Sequence, residues 1–107
     1  MKPQNAYLVL DIGKTNKKFL VYDISLNVLL SKSREIGVIK RDDIELEDVD
    51  TLLEWLRKEI SAISKQFHFK TIAISGHGGA FALLNKNGDL CFPVMSYTSK
   101  MEEAFFK

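Results

Sequence analysis

Two short runs carry the side chains and backbone best suited to chemistry. The first is Asp11-Ile12-Gly13-Lys14-Thr15-Asn16-Lys17-Lys18, between two apolar segments. A carboxylate at a strand end can hold Mg2+ through water or orient a phosphoryl group. Gly13 directly after it lets backbone N–H groups approach phosphate oxygens. Thr15 and Asn16 add side-chain donors, and Lys14, Lys17 and Lys18 add positive charge. The run reads as a phosphate cradle, and also as a plain hairpin turn built from Asp, Gly and Asn. It is not a Walker A loop, because the full GxxxxGK[ST] pattern is absent and no helix follows, nor a dinucleotide fingerprint, because GxGxxG is absent.

The second run is Ser75-Gly76-His77-Gly78-Gly79. Its glycines let backbone come close to a ligand or to another chain segment. His77 can hydrogen-bond a substrate hydroxyl, although a histidine in such a turn serves structure as readily. His68 is read as structural, at the end of the long predicted helix, and Cys91 as an inert core thiol in a strand. No Ser-His-Asp or Cys-His set can be assembled.

The elements that position these runs follow from periodicity. Ala6 to Ile12, Phe19 to Ile24 and Val28 to Ile36 are β-prone, and their short links predict an antiparallel three-strand meander. Gly37 to Glu47, with Lys40, Arg41, Asp42 and Asp43 in a row, predicts a solvated loop. Val49, Leu52, Leu53, Leu56, Ile60, Ile63 and Phe67 recur at helical spacing, with Trp55 and Ala62 at the flank of the stripe. Asp48 or Asp50 can cap that helix. Glu54, Lys58, Glu59 and Lys65 form its wet face. Lys70 to Ser75 predicts a strand entering the glycine-rich turn. Phe81 to Asn85 and Leu90 to Met95 predict a hairpin, with Asn87-Gly88 in a type I′ turn. Ser99 to Lys107 predicts the start of a helix, Ser99 and Glu102 having capping-box spacing.

Composition bounds the rest. The chain has 107 residues, 15 Lys+Arg, 14 Asp+Glu, one Cys and 46% hydrophobic residues. That is one domain at most, with enough apolar content for a core and too little net charge for disorder. A net charge of +1 gives no electrostatic reason to expect nucleic acid or an anionic membrane. One cysteine excludes an internal disulfide framework or a Cys-rich zinc site. The apolar runs are too short to span a bilayer and no secretory segment is visible, so a cytoplasmic protein is expected.

Together the two runs resemble a family. YLVLDIGKTNKKFLVYD is similar to the first phosphate-binding motif of the sugar kinase/actin/heat-shock ATPase superfamily. TIAISGHGGAFALLNKNGDLCFPVMSY is similar to the second block of the FGGY carbohydrate kinases, where a strand enters a sugar-contacting turn, then a hairpin, then a Pro and a substrate-lining segment. The resemblance covers nearly the whole chain. It implies an α/β fold of the ribonuclease H-like (actin-like ATPase) class, present in part: the meander, the amphipathic helix, a parallel strand, a hairpin and the start of a helix. It implies ATP-dependent phosphorylation of a sugar or polyol hydroxyl, with ATP and Mg2+ as cofactors.

By position, the resemblance makes Asp11 the Mg2+- and phosphate-orienting carboxylate. Gly13, Thr15, Asn16 and Lys18 line the ATP phosphates. His77, Gly78, Gly79 and Tyr97 fall on the sugar side. His77 stands where relatives often carry Gln, and Gly78 and Gly79 where they carry larger residues, which implies a roomier pocket. Tyr97 stands where Trp is common, and Thr98-Ser99-Lys100 replaces an Asp-then-Arg pattern.

The resemblance also makes residues 1–107 the N-terminal part of the first domain of a two-domain kinase, ending in an unfinished helix. The catalytic base, second phosphate motif and adenosine motif of such enzymes have no counterpart in these residues. The chain alone is therefore expected to be inactive, and its open core to drive self-association or pairing with the rest of the protein. Two other readings use the same fold: a non-catalytic binding or assembly module, and a ribonuclease H-like nuclease. The nuclease needs clustered carboxylates for two metals, and neither Asp23 nor Glu35 obviously converges on Asp11.

Overall fold

A computed structural model describes residues 2–99. They form two compact units. The first comprises the chain up to Ile36 together with Asp50–His77, and the second Gly37–Val49 together with the chain from Gly78 onward.

The first unit is a four-stranded sheet with one helix. Its strands are β1 (Gln4–Ile12), β2 (Asn16–Asp23), β3 (Val28–Glu35) and, after two short strands of the other unit, β6 (Phe67–Gly76), in the order β3-β2-β1-β6. The predicted meander is present: β1 pairs antiparallel with β2, and β2 with β3. β6 pairs parallel with β1, from Gln4↔Phe67 to Ile12↔Gly76. A parallel neighbour needs a crossover, and helix α1 (Val49–Ile63) lies within it.

Strand alternation decides what is buried. Ala6, Leu8 and Leu10 of β1 and Phe19 and Val21 of β2 form the core with Ile36, Trp55 and Ile63. Leu52, Leu56 and Ile60 of α1 pack against this cluster. Trp55 is central rather than flanking: its ring lies 5.6 Å from that of Phe19, centroid to centroid, tilted by 52°. Leu53 and Ala62, by contrast, are exposed. The helix begins at Val49, which puts Asp48 at the N-cap position.

The helical stripe does not reach Phe67. After Ile63 the chain turns, with Gln66 N–H donating to the Ile63 carbonyl at 3.0 Å. Phe67 and His68 open β6 instead. Pairing with β1 and stacking of Phe67 on Phe69, 5.8 Å apart, outweigh the accidental continuation of helical spacing.

In the second unit, the expected loop at Gly37 to Glu47 is a hairpin, β4 (Val38–Arg41) and β5 (Ile44–Glu47). The charge run sits around its tip, where Asp42 takes a φ of 55°, a conformation Asp tolerates better than most residues. Leu46 turns inward. Residues 94–96 extend this pairing, with Glu47 N–H donating to the Val94 carbonyl at 2.8 Å and Ser96 N–H to that of Glu45 at 2.9 Å.

The predicted strands at Phe81 to Asn85 and Leu90 to Met95 reduce to a narrow hairpin, with a single bridge, Leu84↔Leu90, and Cys91 N–H donating to the Leu83 carbonyl at 2.9 Å. Its turn is not type I′, because only Gly88 has positive φ (85°). Gly88 N–H donates to the Asn85 carbonyl at 3.0 Å and Asn85 N–H to that of Asp89 at 2.8 Å. This is the three-residue loop in which a type I turn is followed by a left-handed residue. Cys91 is exposed rather than a core thiol, because among the described residues the short hairpin has no second layer over it. The predicted helix from Ser99 to Lys107 lies, beyond Ser99, outside the described residues. Among the described residues no helix is long and apolar enough to cross a membrane.

Candidate functional site

In the first unit the sheet brings the first sequence run together with residues 75–77 of the second. Asp11 pairs with Lys18 on β2 and with Ser75 on β6. Lys18 in turn pairs with Ser33 on β3. Ser75, Asp11, Lys18 and Ser33 therefore form a row across four strands. Leu8, Leu10, Phe19 and Val21 are the buried positions of these strands, so alternation puts Asp11 and Lys18 on the opposite face from the core. The turn after β6 is tied to the same end of β1, with His77 N–H donating to the Ile12 carbonyl at 3.0 Å.

The Gly13–Asn16 loop closes tightly. Gly13 N–H donates to the Asn16 carbonyl at 3.0 Å. A Cβ at Gly13 would lie 2.7 Å from that same oxygen, so the loop demands glycine for its own closure. Ile36 N–H donates to the Thr15 carbonyl at 2.9 Å. Thr15 and Asn16 are exposed, and Lys18 is half-buried.

Lys17 departs from the sequence reading, in which it simply added positive charge. It shares the core-facing side of β2 with Phe19 and Val21 and is buried, 4% exposed. Its ammonium turns back to the loop and donates to the carbonyls of Gly13 at 2.7 Å and Lys14 at 2.6 Å. The signal for this in the sequence is its parity with Phe19 and Val21, easily lost among the three lysines within five positions of Gly13.

Among the described residues, no three of His, Cys, Asp and Glu gather as a metal-binding group. Asp11 therefore belongs to no cage of three or more such side chains among the described residues.

The remaining candidates belong to the second unit. Gly79 has a φ of 83°, and a Cβ built there would lie 3.1 Å from both Cβ and Cγ of Tyr97. The expected extra room at position 79 is therefore filled by Tyr97. Gly78 has nothing within 4 Å of its would-be Cβ and is open. Gly79 and Tyr97 line a cleft of about 290 Å3 together with Phe81, Phe92, Pro93 and Ser96. Behind it, Ser96 is buried and its hydroxyl lies 2.7 Å from that of Thr98, which bonds the Glu45 carboxylate. Ser96 carries no signal in the sequence, where it is an isolated serine.

No protein-family model matches the sequence, and no curated protein does so at a significant level. Solved structures do. A carbohydrate kinase from Novosphingobium aromaticivorans is similar with a TM-score of 0.82 and 30% identity, over 92% of this chain and 21% of that one. A xylulose kinase from Rhodospirillum rubrum has a TM-score of 0.70 and 18% identity, over 89% and 21% of the two chains. A Plasmodium falciparum glycerol kinase with ADP has a TM-score of 0.63 and 16% identity, over 87% and 20%. The latter two show likeness of fold alone. The chain spans about a fifth of the length of each of these proteins.

Proposed function

We propose that this chain, a segment of an FGGY-type carbohydrate kinase, carries the first phosphate-binding loop and part of the sugar site of a cytoplasmic enzyme that phosphorylates a sugar or polyol hydroxyl with ATP. The observation that carries this reading is the convergence of the first run and of residues 75–77 of the second on one end of the sheet. Asp11 stands in register between Lys18 and Ser75, and His77 is bonded to the strand end that Asp11 occupies.

ATP with Mg2+ supplies the transferable phosphoryl group and neutralises its charge. In this reading Asp11 orients the metal and phosphates, and Thr15 and Asn16 offer hydroxyl and amide donors beside the Gly13 turn. Lys18 adds positive charge on the same face. His77 and Tyr97 take the sugar side, with Gly78 leaving space and Gly79 admitting the Tyr97 ring. Phosphoryl transfer needs a base and groups from both sides of a cleft, and we expect these from the remainder of a two-domain protein of which this chain is the N-terminal part. The ribonuclease H-like class is the fold that this reading assigns.

The test is a phosphorylation assay across aldoses, ketoses and polyols on a longer protein containing this chain. At least one substrate should be phosphorylated, Asp11→Ala should lower kcat far more than it weakens sugar binding, and His77→Ala should chiefly raise the sugar KM. Turnover by the 107-residue chain alone, or an unchanged kcat in Asp11→Ala, would overturn the assignment.

A further inference from the structure

We propose that Lys17 is the positioning residue of the phosphate-binding loop, holding its carbonyls inward so that the loop presents donors to a polyphosphate. The inference rests on the reading of Gly13–Asn16 as a phosphate-binding loop. Four consecutive carbonyls of this loop accept hydrogen bonds from within the chain. Those of Gly13 and Lys14 accept from the Lys17 ammonium, that of Thr15 from Ile36 N–H, and that of Asn16 from Gly13 N–H. Two of the four depend on one side chain.

The consequence follows from peptide geometry. In a planar trans peptide, C=O and the next N–H point to opposite sides, and the chain has no cis peptide bond among its described residues. Drawing the Gly13 and Lys14 carbonyls onto a buried ammonium therefore turns the N–H groups of Lys14 and Thr15 away from it. Successive N–H groups turned to one side make a concavity suited to an anion. Carbonyl oxygens facing the same place would repel it.

The burial of Lys17 is part of the argument. A lysine on the core side of a strand must find acceptors for its ammonium or lose stability. Here the loop supplies them, so the loop conformation and the satisfaction of a buried charge are coupled. A surface lysine would contribute charge without fixing the backbone.

The experiment uses the 15N-labelled full chain in two measurements. The first, without ligand, is amide hydrogen exchange at Gly13 and Ile36, whose N–H groups bond across the loop. Lys17→Met keeps the apolar stem and removes the ammonium with both of its bonds, and exchange at both amides should rise by about tenfold or more. The second is an NMR titration with sodium tripolyphosphate. The wild-type Lys14 and Thr15 amides should shift on binding, affinity should fall by about tenfold in Lys17→Met, and Lys17→Arg should restore most of it. Lys40→Met removes one charge from the β4–β5 hairpin and should leave affinity unchanged.

Unchanged exchange in Lys17→Met, or unchanged tripolyphosphate affinity, would overturn the proposal while leaving the phosphate-loop reading intact. An equal loss of affinity in Lys40→Met would do the same, by reducing Lys17 to general charge. Absence of any wild-type binding would overturn the phosphate-loop reading, and with it the proposal. If Lys17→Met loses the dispersed spectrum of a folded chain, Lys17→Gln, which keeps a donor without charge, takes its place, with an intermediate loss expected and an unchanged affinity again decisive against.

Discussion

The ring of Tyr97 occupies the space that a side chain at Gly79 would need, with Tyr97 Cβ and Cγ each 3.1 Å from a would-be Cβ. Gly79 also sits at a φ of 83°, where an L side chain is strained. Gly79→Ala should therefore destabilise the chain by about 1–3 kcal/mol, combining backbone strain with overpacking. Gly78→Ala should stay within about 0.5 kcal/mol, as an open surface position does. Adding Tyr97→Ala to Gly79→Ala should recover only the part of the overpacking due to the ring, because alanine keeps the Cβ that lies 3.1 Å away. Thermal unfolding of the three variants measures this, and equal effects of the two glycine substitutions would refute the packing account.

The β2–β3 link and the 85–89 loop are the same turn made with different residues. Asp23 N–H donates to the Asn27 carbonyl at 2.9 Å and Leu26 N–H to that of Asp23 at 3.0 Å, the pattern seen between Asn85, Gly88 and Asp89. Gly88 takes the left-handed position in one, Leu26 (φ 68°) in the other. Leu26 is 68% exposed and gains little from burial there. Left-handed strain costs a non-glycine residue about 1–2 kcal/mol, and the extra backbone entropy of glycine offsets about half of that. Leu26→Gly should thus stabilise the chain by roughly 0.5–1 kcal/mol and raise Tm by a few degrees. A lower Tm would refute the strain assignment.

The same turn predicts an acid response. The Asp23 carboxyl is held below its ordinary range, first by the Asn27 backbone N–H and then by the Asn27 side chain, with Ser25 N–H adding to this against a small desolvation penalty. A carboxyl depressed in the folded state adds stability that is present above its unfolded pKa and lost as pH falls through the folded value. Asn85 makes the equivalent bonds, to the N–H groups of Asn87 and Asp89 at 2.9 and 3.1 Å, without a charge. Asp23→Asn should therefore keep the turn and remove its share of the acid dependence. The Tm difference between wild type and Asp23→Asn should shrink or change sign between about pH 5 and pH 2, and a constant difference would rule the linkage out.

β6 lies at the edge of the described sheet, with Ile72 56% and Ile74 72% exposed. An apolar edge strand is a template for pairing with another chain. The chain should self-associate as its concentration rises, and Ile74→Lys should suppress this in light scattering. A strictly monomeric wild type at high concentration would count against it.

The parts of the fold that the sequence discloses are those where one signal dominates. The continuous β-prone run from Ala6 to Ile12 and the helical spacing from Val49 to Ile63 match observed elements closely, although β1 alternates between buried and more exposed positions where a run so apolar suits burial on both faces. Phe67 misleads because its spacing from Ile63 satisfies a helix while its pairing with Gln4 belongs to a sheet. The β4–β5 hairpin is hidden by the charges around its tip, and the β2–β3 turn by a leucine where glycine would announce it. At the site, Asp11 and His77 are readable from their runs. The inward role of Lys17 and the Gly79–Tyr97 contact are not, because both depend on which backbone atoms the fold brings within reach.

The parallel pairing of β1 with β6 also sets an order in time. β1, β2 and β3 are joined by short links and can zip together locally, whereas Gln4 meets Phe67 only after the intervening chain has been brought round, at a larger cost in loop-closure entropy. During synthesis the outer side of β1 stays unpaired until residues 67–76 arrive. Until then Asp11 has Lys18 on one flank and no strand on the other, so the phosphate side of the candidate site takes shape before the side that His77 brings to it.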